Sequence, residues 1–135
     1  HRALDHGERD HAIGVAGDPT LAQRLALDES IRGDDLLNLV ESMFTAEQTE
    51  RSWVWLAGNI DVLIGKTPTF ERDLLIQVTG RYCTAERSDA VAALFEPRLR
   101  LIDGGRRVLD QTLERIGLCV ALRKSYEQQA RQLFN

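Results

Sequence analysis

Arg51 to Pro68 reads RSWVWLAGNIDVLIGKTP, and the spacing of its apolar residues decides the fold class. Trp53, Leu56, Ile60, Leu63 and Ile64 follow one another at steps of three and four, apart from the final pair. That spacing lines one stripe of an α-helix, whereas a strand needs steps of two. Thr45 with Gln48 three residues on fits a capping box at the start, and Gly65 with Thr67-Pro68 marks the end. Gly58-Asn59 interrupts the middle, where glycine costs about 1 kcal/mol relative to alanine. The expectation is one kinked helix or two abutting ones. Trp53 faces the core, and Trp55, about 200° away, packs elsewhere.

The same periodicity continues on both sides. Residues 2–16 have some helical character through Ala3, Leu4, Ala12, Ile13 and Val15. Asp18-Pro19 is an N-cap followed by proline at the first helical position, and Leu21, Ala22, Leu25 and Ala26 form an apolar face behind it. Gly33 breaks that helix and Asp34 caps the next, with Leu36, Leu37, Val40, Met43 and Phe44 on one side. Downstream, Phe70, Leu74, Val78 and Tyr82 predict a helix over 69–82. Thr84 caps a helix containing Val91, Leu94 and Phe95, which Pro97 closes. Asp103 and Gly104-Gly105 open a helix stepping through Leu109, Leu113, Ile116 and Val120. Ser125 with Gln128 predicts a turn near Lys124 and a short last helix with Tyr126, Ala130 and Leu133. No stretch alternates as a strand does, so the fold class is all-α. Seven or eight short-linked helices suit a superhelical stack of antiparallel helix pairs, HEAT- or armadillo-like, over one domain of residues 1–135; a closed bundle is the other solution on pattern alone. The expected core includes Trp53, Leu56, Ile60, Leu63, Phe95, Leu109, Leu113 and Ile116.

A composition 43% hydrophobic and 28% charged is that of a globular domain able to bury a core without metal or disulfide. The chain starts at His1 and its single methionine is Met43, which predicts a piece of a longer protein. No run approaches the ~18 apolar residues of a membrane span, and nothing at the start resembles a signal peptide. The net charge of −4 argues against nucleic acid, which needs a basic face. It is unevenly spread. Residues 1–96 hold 9 basic and 17 acidic side chains, and residues 97–135 hold 8 basic and 4 acidic. Cys83 and Cys119 are too few for a disulfide framework, so a reduced pair in a cytoplasmic protein is expected.

Chemistry-bearing motifs are missing. His1, His6 and His11 are five apart and point in three directions on a helix, unlike the His-Glu-x-x-His of a zinc peptidase. There is no P-loop, no Gly-x-Ser-x-Gly and no Gly-x-Gly-x-x-Gly. Asp34-Asp35 is read as a helix-dipole partner. The chain itself is expected to carry no catalytic residue, metal ligand or cofactor site.

Three segments, SWVWLAGNIDVLIGKTP, RYCTAERSDAVAALFEP and RRVLDQTLERIGLCVALRKSYEQQARQLF, resemble, in this order, the C-terminal helical domain of the aminopeptidase N family of zinc metallopeptidases. The matching positions are Trp53, Asn59, Asp61 and Leu63, then Tyr82-Cys83-Thr84 with a helix ending near Phe95, then Gln111, Glu114 and Ile116. Ile60 departs from the pattern, since many eukaryotic members carry tryptophan after the asparagine. The resemblance implies a non-catalytic superhelical domain that packs on the peptidase domain of the same parent chain and encloses the peptide-substrate chamber. It places the zinc, its ligands and the catalytic glutamate upstream of this chain. The competing expectation is a free-standing helical-repeat scaffold for a protein partner. In the chamber reading, the basic residues Arg98, Arg100, Arg106 and Arg107 are candidates to face the carboxylate end of a peptide substrate.

Overall fold

A computed structural model describes residues 19–44 and 49–134 of the chain. The described residues form six α-helices and three 3-10 helices, with no strand among them. Their contacts fall into two units that divide after Arg72. The all-α expectation holds.

In the first unit, α1 (Pro19–Leu27), α2 (Asp34–Ser42) and α3 (Thr49–Lys66) are followed by a 3-10 turn, Thr69–Glu71. Helix α1 packs on both α2 and α3. Ala22 and Ala26 are fully buried, and their small side chains let the neighbouring helices approach α1 closely. The turn into α2 depends on Gly33, whose φ of 62° is one that residues with a Cβ rarely adopt. Gly33, and not Asp34, is the N-cap; Asp34 and Asp35 occupy the first turn, where carboxylates favour the positive end of the helix dipole. Leu36, Leu37, Val40, Met43 and Phe44 are all buried, as their period requires.

Two side chains fasten helix ends to main chain. The buried Ser52 hydroxyl donates to the carbonyl of Met43, joining the start of α3 to the end of α2. Lys66 Nζ donates to the carbonyls of Ala26 and Asp28, at 2.5 and 2.6 Å, across the C-terminal end of α1, where the Asp28 carbonyl also accepts from the Ile31 amide. Partial burial holds the Lys66 ammonium below its ordinary pKa, with Arg32 adding to the shift.

Helix α3 runs through Gly58-Asn59 without dividing. Gly58 is exposed, so its cost is one of backbone propensity, and burial of Leu56, Ile60, Leu63 and Ile64 on the other side outweighs it. Asn59 Nδ2 donates to the carbonyl of Trp55 at 2.9 Å, an i−4 bond compatible with a continuous helix. Trp53 is not the core residue its stripe predicted. Trp53 is half-buried, and Trp55 is 8% exposed. Ser52, Trp55 and Leu56 are spaced i, i+3, i+4, so the Ser52–Met43 bond turns that edge of the first turns inward and leaves Trp53 at the margin. Trp55 Nε1 is buried with no hydrogen-bond partner. The expected capping box at Thr45 and Gln48, and the segment of residues 2–16 with His1, His6 and His11, lie outside the described residues.

The second unit contains α4 (Asp73–Gln77), the 3-10 turn Val78–Arg81, α5 (Ala85–Phe95), the 3-10 segment Glu96–Leu101 and α6 (Gly105–Phe134). The single helix expected over 69–82 is broken up. Thr79 Oγ1 donates to the carbonyl of Ile76 at 2.6 Å, and the backbone tightens to 3-10 geometry before becoming extended at Tyr82. The buried set is Leu75, Ile76, Val78, Thr79 and Tyr82, while Leu74 is half-buried and Phe70 is 77% exposed. Gly80 lies beneath the Arg115 side chain of α6, where a Cβ would stand 3.0 Å from a guanidinium nitrogen.

Thr84 caps α5 as expected, its hydroxyl accepting from the Arg87 amide at 3.1 Å. Arg87 also stacks over the Tyr82 ring, 5.1 Å from its centroid. Helix α5 packs mainly on α6, with Val91 and Phe95 buried on one side and Val108, Leu109, Thr112 and Ile116 on the other. Leu113, an expected core residue, is only half-buried. Helix α5 ends at Phe95 and continues as 3-10 through Pro97, which takes a first-turn position where its missing N–H is harmless.

Two further expectations are corrected. Cys83 and Cys119 form a disulfide, with Cα atoms 5.3 Å apart, where a reduced pair was expected. The 36-residue separation hides the pairing in sequence; α5 and the following 3-10 segment bring the chain back. Helix α6 also passes through Lys124 without a turn. Between Leu118 and Phe134 it contains neither glycine nor proline, so the Ser125/Gln128 pattern has nothing to end the preceding turns.

Candidate substrate-facing groove

Leu99 to Ile102 and the first turns of α6 enclose the ground on which the four candidate arginines were expected to act. Gly104 has a φ of 68°, and at the buried Gly105 a Cβ would lie 3.0 Å from Leu99 Cδ2. This glycine pair therefore lets the chain reverse tightly into α6, as its helix-start reading required. Beside the reversal lies a groove of about 660 Å³, lined by Leu99, Ile102 and Gly105 together with Arg106, Arg107 and Asp110; Gln111 and Glu114 complete its wall.

The structure does not bring the four arginines to one place. Arg106 and Arg107 line the groove, and Arg98 and Arg100 do not. Arg98 is half-buried and its Nη1 donates to the Leu94 carbonyl at 2.8 Å, completing the end of α5. Arg100 is exposed. Arg106 makes a two-pronged pair with Glu96, at 2.9 and 3.1 Å, and reaches Asp110 at 3.3 Å. The Arg106 hydrogen bonds hold the Glu96 carboxyl below the usual glutamate range, and the same pair raises the Arg106 guanidinium. Arg107 is exposed on the groove and has no ion-pair partner among the described residues. Of the two arginines that line the groove, it is the one not held by an acid.

Asp110 and Glu114 on the same wall oppose a purely anionic guest. The groove therefore presents charges of both signs, with Asp110 already engaged by Arg106. Among the described residues no cluster of three or more His, Cys, Asp or Glu side chains is placed to hold a metal ion.

Sequence reasoning missed Glu96 and Asp110 as the groups that occupy Arg106. Asp110 was legible in principle, being four residues along the same helix; Glu96 is ten residues away and meets Arg106 only through the Gly104 reversal. The resemblance positions have structural settings as well. Leu63 and Ile116 are buried, Asn59 bonds main chain, and Tyr82-Cys83-Thr84 is the joint that carries both the disulfide and the α5 cap.

No family model, curated protein or solved structure matches this chain. No helix among the described residues is long and apolar enough to cross a membrane.

Proposed function

We propose that this chain is a non-catalytic C-terminal helical domain of an aminopeptidase N-type zinc peptidase, packing on the peptidase domain and enclosing the substrate chamber. The observation that carries the reading is the Tyr82-Cys83-Thr84 joint. It is one of the segments that resemble the family, and it fixes the start of α5 through the Thr84 cap and the Arg87–Tyr82 stack and ties that start to α6 through the Cys83–Cys119 bond. In this reading the groove beside Gly104 faces the chamber, and Arg107 receives the distal carboxylate of a peptide. Zinc and the catalytic glutamate belong to the upstream part of the parent chain, which also supplies the docking partner.

Two expectations shift within the proposal. Arg106 leaves the set of substrate-facing residues, because Glu96 and Asp110 hold it. The cytoplasmic location loses its cysteine support, since a disulfide suits an oxidising compartment. The deciding experiment is the reading frame upstream of the His1 codon. A His-Glu-x-x-His coding segment in frame is the expected result, and a start codon directly before His1 would overturn the proposal. In the full-length enzyme, Arg107→Ala should weaken turnover of longer peptides and leave a single-residue reporter substrate unchanged.

A further inference from the structure

In the second unit the Cys83–Cys119 bond stands at the rim of the core. Tyr82 is buried, but Cys83 is only half-buried, and Thr84, Ala85 and Glu86 after it are exposed. On α6 the last buried residue is Ile116. Cys119 is half-buried, and every residue from Ala121 to Phe134 is exposed. The packing of the unit lies on the other side of the bond. Leu75 and Ile76 of α4, Val91 and Phe95 of α5, and Leu109 and Ile116 of α6 are fully buried against one another's helices. A disulfide acts mainly on the unfolded chain, so these folded contacts persist without it. A bond so placed is open to an attacking thiol, and breaking it uncovers none of those side chains.

We propose that Cys83–Cys119 is a reversible latch, opened by a dithiol reductant through attack on Cys119 Sγ, which frees the Arg81–Thr84 joint from α6 and leaves the α5–α6 core folded. Exchange is fastest when the departing sulfur is the better stabilised thiolate. Cys83 directly precedes Thr84, the N-cap of the eleven-residue α5, where the helix dipole favours an anion. The Arg87 guanidinium, stacked on the adjoining Tyr82 ring, adds positive charge there, with Glu86 opposing it from the first turn. Cys119 lies in the middle of α6 and has no helix end to draw on. Four residues before it, the exposed Arg115 draws an anionic thiolate toward the attacked sulfur; four after it, Arg123 is balanced by Glu127 at 3.6 Å. The reductant's first thiolate bonds to Cys119 Sγ while the Sγ–Sγ bond breaks, and the electron pair leaves on Cys83. The reductant's second thiolate then closes a disulfide within the reductant and releases Cys119 as thiolate. Both cysteine thiolates take protons from water. A monothiol stops at the mixed disulfide, which the Cys83 thiolate reverses. The latch rests on the disulfide's surroundings and not on the aminopeptidase reading.

Dithiothreitol added to the oxidised chain in native buffer is expected to reduce the bond without denaturant. Helical ellipticity and the methyl resonances of Val91, Leu109 and Ile116 should stay in place while the amide resonances from Arg81 to Ser88 move, and reoxidation should restore them. Cys83→Ser with Cys119→Ser should give the reduced spectrum and no longer respond to dithiol. Brief exposure to glutathione, acid quenching and peptide mapping should find the adduct on Cys119 at least about tenfold more often than on Cys83. A bond that yields only in denaturant, a reduced chain that loses its helix or core resonances, or an adduct shared equally or favouring Cys83 would each overturn the latch.

Discussion

The two units use different fasteners for the same kind of core. The first closes on side chains that reach main-chain oxygens: Ser52 to Met43, and Lys66 to Ala26 and Asp28. The second adds a covalent bond, Cys83–Cys119, over an α5–α6 pair that already buries Val91, Phe95, Leu109 and Ile116. A hydrogen bond of the first kind acts in the folded state, where it satisfies a helix end. The disulfide acts largely on the unfolded chain, by shortening the loop it encloses. Solvent conditions that loosen one fastener should therefore leave the other intact, and the difference gives four ways to test the comparison.

Removal of the disulfide should have the largest effect. By the loop-entropy relation a 36-residue separation corresponds to about 4 kcal/mol. Cys83→Ser with Cys119→Ser, followed by native-state hydrogen exchange, should lower protection in α5 and α6. Equal loss throughout α1–α3 would erase the distinction between the units.

Next comes Trp55→Ala, expected to cost about 3 kcal/mol, the lower edge of the range for buried tryptophan. The discount arises because the substitution also removes an N–H that is buried without a partner. Trp53→Ala should cost less than half as much, and a reversal of that order in denaturant unfolding would return Trp53 to the core.

Lys66→Met keeps the side-chain stem and deletes two hydrogen bonds to carbonyls. A loss of about 1–3 kcal/mol, confined to exchange protection in α1 and α3, is expected. An unchanged midpoint would show that water serves those carbonyls equally well.

The smallest effect concerns pH and the Glu96–Arg106 pair. Its folded pKa lies below the ordinary 4.5, so the stabilisation it contributes is fully present above that value. It fades as pH falls through the lower folded pKa. Arg106→Ala should remove this dependence below about pH 4.5 and change little in high salt, because the pair is exposed and screened. The same acid sensitivity in wild type and variant would discount the pair.

Much of the helix pattern was legible because it depends on near neighbours. The period of Leu36 to Phe44, the Thr84 cap and the glycine pair before α6 needed only a few residues of context. The failures came where distant residues decided the outcome. Trp53 and Trp55 are equivalent in composition, and which of them is buried follows from what packs on α3, including the Ser52–Met43 contact nine residues apart. The helix expected over 69–82 is interrupted at Arg72 and tightens to 3-10 geometry from Val78, where Gly80 sits beneath the side chain of Arg115, 35 residues on in number. At Lys124 the opposite error arose, because a capping pattern was read without any residue to end the previous turns. The candidate site was legible only as a basic stretch: Arg98 on the Leu94 carbonyl and Arg106 beside Asp110 are contacts four residues apart that local reasoning could have found, whereas the Glu96–Arg106 pair needs the Gly104 reversal.

The placement of the tryptophans has an optical consequence. Both indoles of the chain lie in α3, one buried and one half-exposed, whereas the second unit has Tyr82 and Tyr126 as its only ultraviolet fluorophores of comparable use. Emission excited at the indole edge therefore follows the first unit and is nearly blind to the second. A melt recorded by fluorescence and the same melt recorded by helical ellipticity sample different populations of residues. Their separation or coincidence measures directly whether the chain loses its two halves in one step or in two.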